Sequence, residues 1–310
     1  MSAPVGPGVG PGIQPNAPDV ALVFEGGGMR ASYSSGVLTA LVEAGIVTGW
    51  VGGISAGSSC TFNYLTRDTL RARKSFVDLA ATTQFGNIGT WVRGKGMFHS
   101  EYIYERTSGP GQFLEYNMPA HLAARTRYAI GAFACESGQM RYWGPEDMQS
   151  LESLVVRVRA SSTMPLLMPW TTVDSVVYCD GALGPTGGFA HDAARADGFA
   201  KFLVITTRER GYRKPPQRTP AVMNAALRRY PRVAAALNAR PAHYNRSLEE
   251  LHDLESSGDA FLIFPETMPI KNSERRVPVL LRMYRQGLAQ GRRLIPQIRT
   301  WAGIEPRSPG

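Results

Sequence analysis

Trp50-Val-Gly-Gly-Ile-Ser-Ala-Gly-Ser-Ser59 is the stretch whose reading decides the fold. Trp50 to Ile54 has the apolar character of a short buried strand, Ser55-Ala-Gly-Ser-Ser follows as a sharp turn, and a helix continues through Tyr64. A reversal this tight needs small residues on both sides of its central serine, and Gly53 and Gly57 supply them around Ser55. The same plan stands one unit upstream. Val20-Ala-Leu-Val-Phe24 is a strand-like apolar run, Glu25-Gly-Gly-Gly-Met-Arg30 a glycine loop, and Ser32 to Ala44 carries Val37, Leu38, Leu41 and Val42 at helical spacing before Gly45. Strand, turn and helix in repetition predict an α/β fold with a mainly parallel sheet and crossover helices.

Three local patterns carry chemistry. In the first, Gly53-Ile-Ser-Ala-Gly57, the turn exposes the Ser55 hydroxyl over the strand ends, and the next helix aims its positive dipole end at developing negative charge. In the second, Gly26, Gly27 and Gly28 precede Arg30. Acyl transfer develops an oxyanion that needs backbone N–H donors at close range, and glycine removes the Cβ that blocks approach. A nucleotide phosphate loop is the rival, but the G-K-[ST] ending is missing and Ala31 stands where G-x-G-x-x-G has its last glycine. The third is Asp180-Gly181-Ala182, which ends the apolar run Ser175 to Cys179 and so projects from a sheet edge. A carboxylate in a dry site beside a serine can act as its base; the plainer reading is an Asp capping a turn. Of His99, His121, His191, His243 and His252, only His243, read as part of a loop at Pro241-Ala-His-Tyr244, is a serious triad candidate. His252 falls in a charged helical run, Leu248 to Leu254.

Taken in order, G-G-G-x-R, G-x-S-x-G and D-G-[AG] resemble the patatin-like phospholipase family, notably its bacterial members, over about residues 19–190. Ala160-Ser-Ser-Thr-Met-Pro165 is also similar to the family's helix end before the aspartate strand. The resemblance implies a three-layer α/β/α sandwich and a Ser–Asp dyad without histidine. Ser55 would be the nucleophile and Asp180 the base, with Gly26, Gly27 and Gly28 forming the oxyanion hole and Arg30 supporting their loop. It implies lipid or other acyl-ester substrates and no metal or cofactor. Ala31 and Ala182 depart from the family's frequent glycines, without touching the serine. The reading that follows is a serine acyl hydrolase. Its rivals are a His-containing triad of the α/β-hydrolase type and a catalytically silent lipid-binding regulator.

Around these patterns the chain divides into three. Residues 1–17, rich in Gly and Pro, read as a disordered leader with neither the basic nor the apolar region of a signal peptide. Residues 18–205 form the expected catalytic core. Within it the aromatic, Gly-rich stretch 84–120 is a candidate lid or acyl-channel lining. Arg127–Ala134 with Met140–Trp143 reads as a hairpin, and Glu146–Arg159 as a helix. Residues 206–310 are read as a basic, mostly helical region packed on the core, with one strand near Ala260–Phe264 and an amphipathic helix over Val277–Trp301.

The chain of 310 residues carries 34 Lys+Arg against 25 Asp+Glu, and the excess lies in residues 201–310, with 20 against 9. No zinc-finger pattern or long basic block accompanies it, which disfavours nucleic acid. An anionic membrane face is the expected partner of that surface. A hydrophobic fraction of 43% excludes overall disorder. Cys60, Cys135 and Cys179 are too few and scattered for a disulfide framework or a zinc site. With no apolar run long enough to span a bilayer, a cytoplasmic or peripheral protein is expected.

Overall fold

The computed structural model describes residues 12–86 and 94–305. Eight strands form one sheet: β1 Ala17–Phe24, β2 Thr48–Ile54, β3 Arg127–Ala134, β4 Met140–Trp143, β5 Thr171–Val173, β6 Val176–Asp180, β7 Lys201–Ile205 and β8 Ala260–Ile263. Pairing runs β5-β6-β3-β2-β1-β7-β8, with β4 also on β3. The run β3-β2-β1-β7-β8 is parallel, whereas β4 and β6 pair β3 antiparallel.

Alternate residues of the central strands enter two separate cores. Leu22 and Phe24 of β1 and Leu203 and Ile205 of β7 face one core, while Ala21, Val23, Phe202 and Val204 face the other. The first is covered by α1 (Ala31–Glu43), α2 (Ala56–Leu65), α3 (Thr69–Phe76), α5 (Leu151–Ser162) and α9 (Val277–Ala302). The second lies under α6 (His191–Ala196) and α8 (Pro231–Ser257), and α4 (Met118–Ala123) and α7 (Pro220–Ala226) complete the helices named here. The three-layer α/β/α sandwich follows from strands apolar on both faces. Full burial of each Leu, Val or Phe stabilises by about 1.5–3 kcal/mol.

Register on β3 has one consequence on which the site depends. Gly131 pairs with Ile54 of β2 and also with Tyr142 of β4, so β2 and β4 lie on opposite edges of β3. Ala132 pairs with Arg141 of β4 and with Asp180 of β6, which puts β6 on the β2 edge. Thus β2 and β6 run toward each other in a single lane, ending on consecutive rungs at Ile54 and Asp180.

Several expectations need correction. Order begins before residue 18: Asn16 Oδ1 accepts from the Val47 amide at 2.9 Å, and Ala17 is buried in β1; residues 1–11 of the expected leader lie outside the described residues. The helix expected from Glu146 starts at Leu151, because Ser150 forms a capping box with Ser153, and a single 3-10 turn fills Pro145–Asp147. Beyond residue 205 the strand expected near Ala260–Phe264 is β8, which adds to the sheet beside β7. His243 is not in a loop: α8 continues through Pro241. Cys60, Cys135 and Cys179 are buried free thiols. Among the described residues, no helix is long and apolar enough to cross a membrane.

The C-terminal helix packs backbone to backbone on α1. A Cβ on Gly287 would strike the Tyr33 carbonyl, and one on Gly36 the Tyr284 carbonyl. Tyr33 Oη donates to Gln290 Oε1 at 2.8 Å, and Gln290 Nε2 donates to Phe264 O at 2.8 Å. Gly287→Val therefore forces the two helices apart. We expect a loss of about 1–3 kcal/mol in urea unfolding, the usual cost of overpacking.

Candidate active site

Ser55 is the residue between β2 and α2, and it holds φ 58° with ψ −126°. For a residue with a Cβ this conformation costs on the order of 1–3 kcal/mol and persists only where neighbours enforce it. They do so through hydrogen bonds. The Ser55 amide donates to Ser161 Oγ at 3.0 Å, whose own hydroxyl donates to Gly131 O at 2.7 Å. The Ser55 carbonyl accepts from Ser58 N at 2.9 Å and from Ser58 Oγ at 2.5 Å. Gly53 and Gly57 meet inside the turn, where a Cβ on Gly53 would come within 2.5 Å of the Gly57 carbonyl carbon.

Asp180 closes the other end of the lane. Its amide donates to Thr163 O at 2.8 Å, and its Oδ1 accepts from Ala182 N at 2.9 Å across Gly181. The end of α5 and the residue after it therefore brace both strand tips, Ser161 against Ser55 and Thr163 against Asp180. Each of Ser55 and Asp180 is only 8% exposed. Burial pushes the Asp180 carboxyl above its ordinary range, while Arg240, the Ala182 amide and the neighbouring Ser55 hydroxyl pull it back.

The glycine loop packs against the start of this lane. Its three amides are not equivalent. Gly26 N donates to Gly188 O at 3.1 Å, so Gly26 is removed from the expected set of oxyanion donors; its missing Cβ makes room for Ile54 O, which a Cβ would approach to 2.8 Å. Gly28 has φ +56°, and its backbone lies against Asn272 O, which accepts the Met29 amide at 2.9 Å. Among the described residues no protein acceptor takes the Gly27 or Gly28 amide. Arg30 donates its backbone amide to Gly27 O at 3.3 Å, while its buried side chain hydrogen-bonds no loop atom.

A cavity of about 860 Å³, mouth included, opens beside Ser55 and Gly28. Its walls are apolar: Phe62, Phe76 and Leu79 from the α2–α3 side, Leu154, Val155 and Val158 from α5, and Phe85, Phe98, Ile103 and Leu114 from the segment read as a lid. That segment is core as much as cover, for Phe85 and Phe98 pack edge to face at 5.7 Å and Tyr116 is buried. Residues 87–93 of it lie outside the described residues. A π-helical turn, Tyr102–Arg106, sets Tyr104 into the cavity near Ser162 and Asp180, and burial pushes its phenol up to about 12.

The histidines go elsewhere. His243 Nδ1 faces Gly184 O at 3.2 Å, His121 bonds Tyr116 and Tyr128, His191 pairs with Glu250, and His252 with Glu255. His99 stacks on Tyr102 at 6.0 Å. Sequence reasoning missed Tyr104, Ser161, Asn272 and Glu25. Glu25 is 2% exposed; Oε2 accepts the Thr207 amide at 2.5 Å and Oε1 the Tyr244 hydroxyl at 3.0 Å. A carboxylate closing an apolar strand was the one local signal available for it. No group of three or more His, Cys, Asp or Glu able to hold a metal occurs among the described residues.

Sheet, strained serine turn, buried carboxylate and free loop amides define an α/β protein built around a strand–serine–helix elbow. The patatin-like phospholipase model matches residues 22–190, and the chain belongs to that family. A second family model, a domain of unknown function (DUF6363), matches residues 230–303, from just before α8 to just past α9. The crystal structure of VipD from Legionella pneumophila is similar at a TM-score of 0.46 and 11% identity, over 90% of this chain and 66% of that one. No curated protein matches.

Backbone strain at Ser55 is open to a direct test. Glycine adopts this conformation without a Cβ clash, whereas alanine retains the clash. Ser55→Gly should therefore be more stable than Ser55→Ala by about 1 kcal/mol or more in chemical denaturation; equal stabilities would show that the turn is unstrained.

Proposed function

We propose that the protein is a serine acyl hydrolase in which Ser55 and Asp180 act as a dyad on lipid esters. The observation that carries this reading is the shared lane of β2 and β6, whose tips, Ile54 just before Ser55 and Asp180, stand on adjacent rungs of β3. In the proposed reaction the Ser55 hydroxyl proton passes to the Asp180 carboxylate as Oγ attacks the ester carbonyl carbon. The Gly27 and Gly28 amides take the oxyanion, with Gly26 shaping the loop and Arg30 ending it. Collapse breaks the ester C–O bond, and the departing alcohol oxygen takes the proton from Asp180. Water then attacks the acyl-Ser55 carbonyl, giving its proton to Asp180, which returns it to Ser55 Oγ as the fatty acid leaves.

The apolar cavity beside Ser55 suits an acyl chain, and its aromatic wall from residues 98–114 excludes water from the reacting carbonyl. We place Tyr104 as a hydroxyl in reach of the dyad that stays protonated throughout the working range. The triad reading through His243 is disfavoured because that ring faces Gly184 O. As a membrane-facing surface, the basic third is weaker than its composition suggests: Arg210, Arg213, Arg276, Arg292 and Arg293 are paired with glutamates.

Hydrolysis of acyl p-nitrophenyl esters and of phospholipids tests the dyad. Ser55→Ala should fall to background and Asp180→Asn by about 10²–10⁴-fold, the range for a general base, while His243→Ala keeps wild-type turnover. Full activity in Asp180→Asn would overturn the assignment. Since the base works as a carboxylate and burial raises its pKa, kcat/KM should fall as pH is lowered, with a midpoint above the ordinary aspartate range.

A further inference from the structure

Four cations cluster near the glycine loop, two of them acting on the buried carboxylate of Glu25. Arg30 follows the glycine loop, Arg208 follows β7, Lys214 lies in the chain beyond it, and Arg240 stands on α8. Arg30 and Lys214 are within electrostatic reach of each other and of Glu25, and Arg208 and Arg240 act on both of them. Yet both Glu25 oxygens are already occupied by the Thr207 amide and the Tyr244 hydroxyl. None of the four cationic side chains forms an ion pair or donates a side-chain hydrogen bond among the described residues, and the Nε atoms of Arg30, Arg208 and Arg240 are buried without partners.

Charges in such a state are costly. Buried cations are normally paired, and an unpaired guanidinium loses hydration with no return. Arg30 is only 7% exposed, so solvent does not compensate it. The arrangement has instead been packed with aromatic faces. The Arg208 guanidinium lies 4.4 Å from the Tyr212 ring centroid and Lys214 Nζ 4.4 Å from that of Tyr244. These contacts soften the repulsion without supplying a counter-charge. Lys214 reports the remaining imbalance: burial, with Arg240, Arg30 and Arg208 alongside, pulls its ammonium down to about 7.

The cluster has an opening. A groove of about 780 Å³, mouth included, is lined by Lys214, Arg218 and Arg240 together with Tyr212 and Pro215. Arg240 links it to the reactive centre, because the same guanidinium acts on Asp180 and on Arg30. The apolar cavity is thus lined by Ser55, while Arg240 of the cationic groove acts on Asp180, so the two regions offer opposite chemistries on either partner of the proposed dyad.

We propose that Arg30, Arg208, Lys214 and Arg240 form a phosphate-binding site that takes the phosphate on the alcohol side of the ester, while the apolar cavity takes the acyl chain. Planar guanidinium forks match phosphate oxygens in bidentate geometry, and an ammonium adds a point charge. Bound phosphate supplies the counter-charge that Glu25 alone cannot. The site rests on the dyad reading for its use in catalysis, but not for its ability to bind.

Binding is tested on Ser55→Ala protein, so that it is scored independently of the nucleophile. Inorganic phosphate and glycerol 3-phosphate, added to phosphate-free buffer at constant ionic strength, should each raise the melting temperature. Sulfate-free chloride serves as the control anion. Arg208→Gln and Lys214→Met, in the same background, should be at least as stable as the parent without phosphate, because repulsion is relieved. Both should lose most of the phosphate-dependent shift. In the active protein, the ratio of kcat/KM for a lysophospholipid to that for a monoacylglycerol of the same chain should fall at least tenfold in both variants. No phosphate-dependent shift in the parent, or an undiminished shift in both variants, overturns the site. A shift with an unchanged substrate ratio overturns the headgroup assignment and marks the ligand as free phosphate. Loss of all ester hydrolysis in Asp180→Asn, or its retention, bears only on the dyad.

Discussion

Two strands that meet head-on in one lane of a sheet are the constraint on which the rest of the site depends. A parallel strand, β2, and an antiparallel one, β6, share the same edge of β3 because β4 occupies the other. Their tips are consecutive rungs, so the residues that end them are neighbours whatever the loops do. Gly181 is the fitting that permits it, since a Cβ there would strike Gly131 O and come within 3.0 Å of Ile54 Cγ2. Backbone hydrogen bonds on a rigid sheet hold such tips more closely than loops can.

The cost of this arrangement is carried by α5 and the residue after it. Ser161 satisfies the Ser55 amide and Thr163 O the Asp180 amide, and both partners are buried. An unsatisfied buried amide costs about 1–3 kcal/mol, so one helix end stabilises both halves of the site together. Burial also sets the chemistry. It raises the Asp180 carboxyl above its ordinary range, and Arg240 limits that rise. A cation recruited from α8 thus belongs to the same electrostatic unit as a carboxylate from β6, although the two are far apart in sequence.

The C-terminal third is more than an appendage to the matched family region. It adds β8 to the sheet, packs α9 on α1 through glycine contacts, and presents Asn272 O to the glycine loop. With the Met29 amide taken by Asn272 O, the Gly27 and Gly28 amides are the loop's donors without a protein acceptor among the described residues. The basic surplus of this region is likewise divided. Some arginines are neutralised by surface glutamates, which contribute little to stability, while the side chains of Arg208, Lys214 and Arg240 form no ion pair among the described residues.

Short-range chemistry was legible in the chain. The Ser55 turn, the glycine loop, the D-G-A strand end and the alternation of strand and helix each depend on residues within a few positions, and their small residues mark backbone that must pass close to backbone. Sequence periodicity also placed the parallel strands, while helix starts such as Leu151 shifted with a capping box that apolar spacing does not report. Tertiary structure alone decided which loop amides find acceptors among the described residues, that His243 points away on a helix, that Tyr104 and Ser161 enter the site, and that Arg30 and Lys214 share Glu25. The reason is physical: a turn is set by the volume and φ of its own residues, whereas a hydrogen-bond partner or a counter-charge is set by whatever distant segment the packed sheet brings within a few ångströms.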